Sequence, residues 1–218
     1  MGESESRGFG QLQHDMIHVH SIYKLGYDKI VQVLAEPPMD DLSNFLGYCS
    51  VWAAGIIEHH DNEELFLFPF LNQNMDFSGE AAQHKVIHDI LDQLVVSIQA
   101  AKEDHAKFKP GELKELMEKF REPFFTHLDD EVAHISAEKI KSAGVDEQEL
   151  ADMLKKLEKH AVESADQWTV LPFMRGHTQP EFKDTWPVLP WFLRKVVIPY
   201  ILAKRYSGYW KYCPYAMS

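Results

Sequence analysis

The chain has 218 residues, of which 45% are hydrophobic and 26% charged, and its formal net charge is −12 with histidine neutral. That length fits one domain, or one domain with an extension, and is enough to bury a sizeable core. The acidic balance excludes the usual nucleic-acid binder, which carries a basic face. Cys49 and Cys213 are the only cysteines and lie far apart, so no disulfide framework is expected and a reducing, cytoplasmic location is. Residues 1–10 are polar, lack the apolar core of a signal peptide, and read as a disordered start. No run of about 18 apolar residues occurs, so no transmembrane helix is expected. The 12 histidines are more informative.

Residues 11 to 35 read as a helix, with Met16, His20, Tyr23, Tyr27, Ile30 and Leu34 at three- and four-residue steps. Glu36-Pro37-Pro38 stops it, and Asp40 or Asp41 can cap the next. The second helix runs to Asn74, with Phe45, Cys49, Trp52, Ile56, His59, Glu63, Phe66 and Phe70 on one stripe. Pro69 is expected to kink or shorten it. Ser78 or Gly79 opens a third helix to Asp104, and Lys109-Pro110-Gly111 makes a turn. A fourth helix extends to Lys141, with Phe120, Phe124, His127, Glu131 and Ile135 inward and a bend expected at Pro123. A fifth spans 146 to 165. No period-two strand pattern or internal repeat is visible.

After Trp168 proline, aromatic and basic residues dominate, ending in an apolar-basic helix from 191 to 206. Two readings compete for this tail: an ordered segment packed on the bundle, and a membrane-surface helix carrying Arg194, Lys195, Lys204 and Arg205. Packing is favoured, because Pro199 interrupts the amphipathic pattern.

Each of the first four helices carries inward metal-ligand residues. The first offers His20. The second offers His59 or His60 with Glu63 or Glu64, since positions i and i+4 share a helix face. The third offers His84 and His88, and the fourth His127 and Glu131. Together these can supply five nitrogen and two bridging carboxylate ligands to two metals. Imidazole with carboxylate, without thiolate, suits iron, zinc or manganese. Single pairs of this kind are common on solvated faces. Four of them, one per helix on apolar stripes, are not.

The connections add a geometric test. His20 lies about 16 residues from the Pro37 turn and His59 about 18 beyond Asp41; His88 and His127 each lie about 16 from their turn, and each residue rises about 1.5 Å. Between Glu63 and His84 both arms are short. Long, short, long is the pattern of an up-down-up-down four-helix bundle with a level site nearer one end.

The phrase His59-His60-x-x-Glu63-Glu64 followed by Phe68-Pro69, the HxxxH of His84 and His88, and His127-Leu128-x-x-Glu131 resemble the hemerythrin family of HHE cation-binding domains over residues 12 to 135. The resemblance implies an all-α bundle over 11–142 and a non-haem di-iron centre of two iron ions. One iron would take His84, His88 and His127, and the other His20 and His59 with an open position. Glu63 and Glu131 would bridge. The family's usual ligand stands six positions before the Phe-Pro proline, which selects Glu63 with His59; His60 with Glu64 is the alternative. Residues 143–218 form a C-terminal helical extension, similar to that of fungal members. Oxygen-carrying hemerythrins place an aspartate five residues after the fourth-helix histidine, where this chain has Val132 and offers Glu131 instead. That departure argues against simple oxygen carriage.

The expected function is binding or sensing of dioxygen, peroxide or nitric oxide, because a nitrogen-rich set favours reversible binding. The alternatives are a di-iron oxidase or oxygenase acting on a small molecule in a pocket lined by Tyr23, Tyr27, Trp52 and Phe124, or iron storage. For the four aromatics, a simple core role is the favoured reading.

Overall fold

A computed structural model describes residues 8–217, and those residues form helices and connections with no strand among them. Of the expected disordered start, residues 1–7 lie outside the described part, and Phe9 and Gly10 already form the first turn of α1 (Phe9–Leu34). Helix α2 (Leu42–Asn62) runs through a π-helical turn, Glu63–Leu67, into the short α3 (Phe68–Leu71). Helices α4 (Ser78–Glu103) and α5 (Pro110–His134) follow. Helix α1 packs on α2 and α5, and α4 packs on α2 and α5, so the four long helices close a ring. Their short connections make neighbours antiparallel. The architecture is the all-α bundle with additional C-terminal helices that the sequence predicts.

Two boundaries differ from the sequence reading, around Pro69 and after His134, while the stop at Gly144 stands where it is expected. Pro69 is accommodated by the widened turn before it, which relieves the clash of its ring with the preceding carbonyl. Helix α5 is continuous through Pro123 but ends at His134, and α6 (Ala137–Ser142) restarts from Ser136, whose hydroxyl accepts from Lys139 N–H. Gly144, at φ 79°, closes α6 in the left-handed region that favours glycine.

The core is in two parts. The larger contains Trp52, Phe45, Tyr48, Phe120 and Phe124, with Trp52 edge-on to Phe120 at 5.6 Å. The smaller contains Met16, Leu67, Phe68, Leu71, Phe77, Ile135 and Leu150, at the end where α6 and α7 (Glu147–Ser164) pack. Each long helix passes from one part to the other through histidine or glutamate: Met16, His20, Tyr23 on α1, and His84 and Ile87 on α4 after Phe77 at its N-terminal cap. A polar layer thus crosses the bundle nearer one end.

The tail packs on the bundle. Helix α8 (Val170–His177) lies against α1 and α2, and the segment Tyr209–Tyr212 lies against α2. Buried His177 donates from Nδ1 to the Phe173 carbonyl at 2.7 Å and accepts at Nε2 from the Tyr48 hydroxyl at 2.7 Å. A second π-helical segment, Leu193–Leu202, carries the chain through Pro199 without a break and ends in the short α9 (Ala203–Arg205).

Candidate metal centre

His20 on α1, His59, His60 and Glu63 at the end of α2, His84 on α4, and His127 and Glu131 on α5 meet in the polar layer. They form two groups. One contains His60, Glu63, His84 and His127; the other contains His20, His59, Glu63 and Glu131; within each group the donor atoms lie within 4.8 Å of one another. Glu63 belongs to both because it stands four residues after His59 and three after His60, a helix neighbour of each. Helix α2 sits between α1 and α4, so the adjacent histidines straddle it: His59 turns to His20, and His60 to His84.

The distances are short throughout. His20 Nε2 is 3.1 Å from His59 Nε2 and 3.3 Å from Glu131. His59 Nε2 is 3.1 Å from Glu63 Oε1. His84 Nε2 is 3.5 Å from Glu63 Oε2 and 3.1 Å from His127 Nε2, and His127 Nε2 is 3.8 Å from Glu131.

Bonds on the far side of the rings fix which nitrogen faces inward. His20 Nδ1 donates to the Leu128 carbonyl at 2.9 Å, His84 Nδ1 to the Glu64 carboxylate at 3.0 Å, and His127 Nδ1 to Gln83 Oε1 at 3.1 Å. Each ring then presents a bare Nε2 lone pair to the layer. His84 and His127 therefore oppose two lone pairs at 3.1 Å. Both oxygens of Glu63, both of Glu131, and His60 Nε2 are buried without a hydrogen-bond partner.

Burial, reinforced by the neighbouring imidazoles, holds His59 and His60 well below the ordinary imidazole range, and pushes His127 down to about 2. Burial lowers His84 as well. These rings are neutral donors at neutral pH. Burial, then the Glu131 charge, raises Glu63 well above the carboxylate range. A buried carboxylate pair among lone pairs is costly unless positive charge joins it. A donor set of neutral imidazole and carboxylate supplies the place for that charge.

Six of the seven residues expected from sequence stand in these groups: His20, His59, Glu63, His84, His127 and Glu131. His88 stands apart; its Nε2 lies 3.1 Å from His60 Nδ1, on the far side of the His60 ring. His60 is the inward residue that the choice of a single stripe passed over. Glu64 is exposed and reaches only His84 Nδ1. Gln83 has no periodicity signal; its one cue is its place beside His84. The four aromatics are core, the favoured reading: Tyr23 donates to the Gly55 carbonyl, Tyr27 to the Met117 carbonyl and Trp52 to the Tyr23 carbonyl, and Phe124 is fully buried.

Residues 32–137 match the family of the hemerythrin HHE cation binding domain. Over those residues the chain resembles a hemerythrin-like HHE domain. The match begins after His20, yet the fold returns His20 to the same layer. The chain is also similar to "Dimeric xanthone biosynthesis cluster protein R11" of Cryptosporiopsis sp. (strain 8999), at 25% identity over 211 residues, covering 93% of this chain and 78% of the relative. No solved structure matches it significantly. The HHE domain is a cation-binding module, and the two His/Glu groups are where cations can be held. No helix among the described residues is long and apolar enough to cross a membrane.

Proposed function

We propose that the HHE layer holds two iron ions and binds or senses a small oxidant or diatomic ligand: dioxygen, peroxide or nitric oxide. The observation that carries this reading is the set of four partnerless carboxylate oxygens of Glu63 and Glu131 facing inward imidazole nitrogens. His60, His84 and His127 would hold one ion, and His20 and His59 the other. Glu63 would serve both, and Glu131, near His20 and His127, would join them. Iron held there supplies the ligand-exchange and redox chemistry. The residues supply the rest. Two carboxylates offset part of the metal charge, and the outward bonds to Leu128, Glu64 and Gln83 orient the rings. The two apolar clusters keep bulk water away. A cleft of about 350 Å³ between α1 and α5, lined by Ile17, His20, Lys24 and Leu128, supports approach of a small molecule to the His20 side.

Metal analysis with an optical spectrum under oxygen and azide tests the proposal. Two irons per chain and a reversible oxygen-dependent band are expected. One zinc and a featureless spectrum would sink it. A second reading, a di-iron oxidase or oxygenase acting on a small molecule, draws on the relative's name, which places that protein in a dimeric xanthone biosynthesis cluster. Rapid, irreversible conversion of the spectrum would favour this reading.

A further inference from the structure

We propose that the tail face formed by Val188, Trp191, Phe192, Val196, Tyr200 and Ile201 docks the protein on an anionic lipid surface. All six side chains are exposed, Trp191 to 65% and Phe192 to 54%. Val196 stands four residues after Phe192 and four and five before Tyr200 and Ile201, spacings which the wide π turn of Leu193–Leu202 brings to one side. The other side is anchored: Ile198 and Ala203 are buried, and the segment packs on α8. Arg194 bonds the Lys183 carbonyl and Asp184. The face is therefore held outward by a docked scaffold. Exposed apolar clusters of this kind mark interaction sites.

Charge selects the occupant. Residues 185–218 contain five Lys and Arg and no Asp or Glu; the other 17 Lys and Arg and all 34 Asp and Glu lie in residues 1–184, which carry −17. Arg194 and Lys195 pair with Asp184, and Lys211 with Asp41, so Lys204 and Arg205 are the cations the tail offers to a partner. Lys204 and Arg205 are exposed at the end of the apolar face. Trp and Tyr beside Lys and Arg suit the boundary between headgroups and acyl chains. An anionic bilayer attracts the tail and repels the acidic body, which orients the molecule with the tail against the membrane. A symmetric pair of chains would instead face two basic tails at each other.

The metal-loaded full chain is sedimented with phosphatidylcholine vesicles, with and without about 30% phosphatidylserine. Binding to the phosphatidylserine vesicles alone is expected, and lost at about 0.5 M salt. The double variant Trp191→Ser/Phe192→Ser should weaken it at least about tenfold, with metal content and helical circular dichroism retained. The charge variant Lys204→Glu/Arg205→Glu also removes the Arg205 guanidinium from the Trp168 and Tyr206 rings, and should weaken binding as well with helical circular dichroism retained. Absence of binding, or binding indifferent to both variants, overturns the proposal. So does a dimer in light scattering that the Trp191/Phe192 variant dissociates without any vesicle binding, which would assign the face to a second copy. These readouts do not depend on which metal occupies the HHE layer.

Discussion

His60 Nδ1 lies 3.1 Å from His88 Nε2, so His88 backs the ring of His60 while the other nitrogen of His60 faces the layer unpartnered. This reverses the roles that the HxxxH spacing suggests. His60→Ala should lower bound metal by about one equivalent per chain. His88→Ala should keep both metals and lose about 10- to 100-fold in affinity, as removal of a residue that orients a ligand does. Metal content after dialysis against graded chelator decides. If His88→Ala loses a metal outright and His60→Ala keeps both, the HxxxH pair ligates.

Glu63 and Glu131 are both fully buried among lone pairs, so they should stabilise the loaded protein and destabilise the stripped one. Glu131→Gln removes the buried charge that faces Glu63. In the stripped protein it should be neutral or stabilising by about 1 kcal/mol or more. In the loaded protein it should lower stability through weaker metal binding. Thermal unfolding with and without chelator should show this change of sign; a loss in both forms would refute it.

His177 gives a pH effect away from the metal layer. Burial pushes its pKa down to about 3, against 6.5 for the exposed ring. Below 6.5 the unfolded chain takes up a proton that the folded ring refuses. Its contribution is complete above pH 6.5 and is lost as pH falls toward 3, at up to about 1.4 kcal/mol per pH unit. His177→Gln should flatten the fall of stability between pH 7 and 5 in urea titrations. An unchanged slope would show that this ring does not set it.

Gly47 seats the tail. A Cβ there would lie 2.2 Å from the Tyr209 ring, an impossible approach. Gly47→Ala should push Tyr209 off α2 and cost about 1–3 kcal/mol, the range of overpacking. Faster cleavage after residue 205 under limited proteolysis should accompany the loss. A variant as stable and as resistant as the parent would mean that the tail tolerates displacement.

Much of this protein was legible in residue spacing. Apolar residues at three- and four-residue steps on α1, α2, α4 and α5 gave the helices, because one buried stripe per helix is what a bundle requires. Matched arms around the proline and glycine turns placed the ligands at one height, since rise per residue is constant. The phase of the doublet was less legible. Choosing one stripe for α2 forced a choice between His59 and His60, whereas a helix flanked by two neighbours can turn adjacent residues to each. The tail was posed as either packed or surface-active; the π-helical segment buries Ile198 on one side and exposes Trp191 and Phe192 on the other.

The sequence by itself determined that four helices would each bring histidine or glutamate to a common level, because periodicity and chain length are local properties. Only the tertiary structure decided which nitrogen of each ring faces inward, that His59 and His60 turn to different groups, and that His88 stands behind His60. Those are contacts between residues 20 to 111 positions apart, set by how the helices rotate against one another when the two apolar clusters pack.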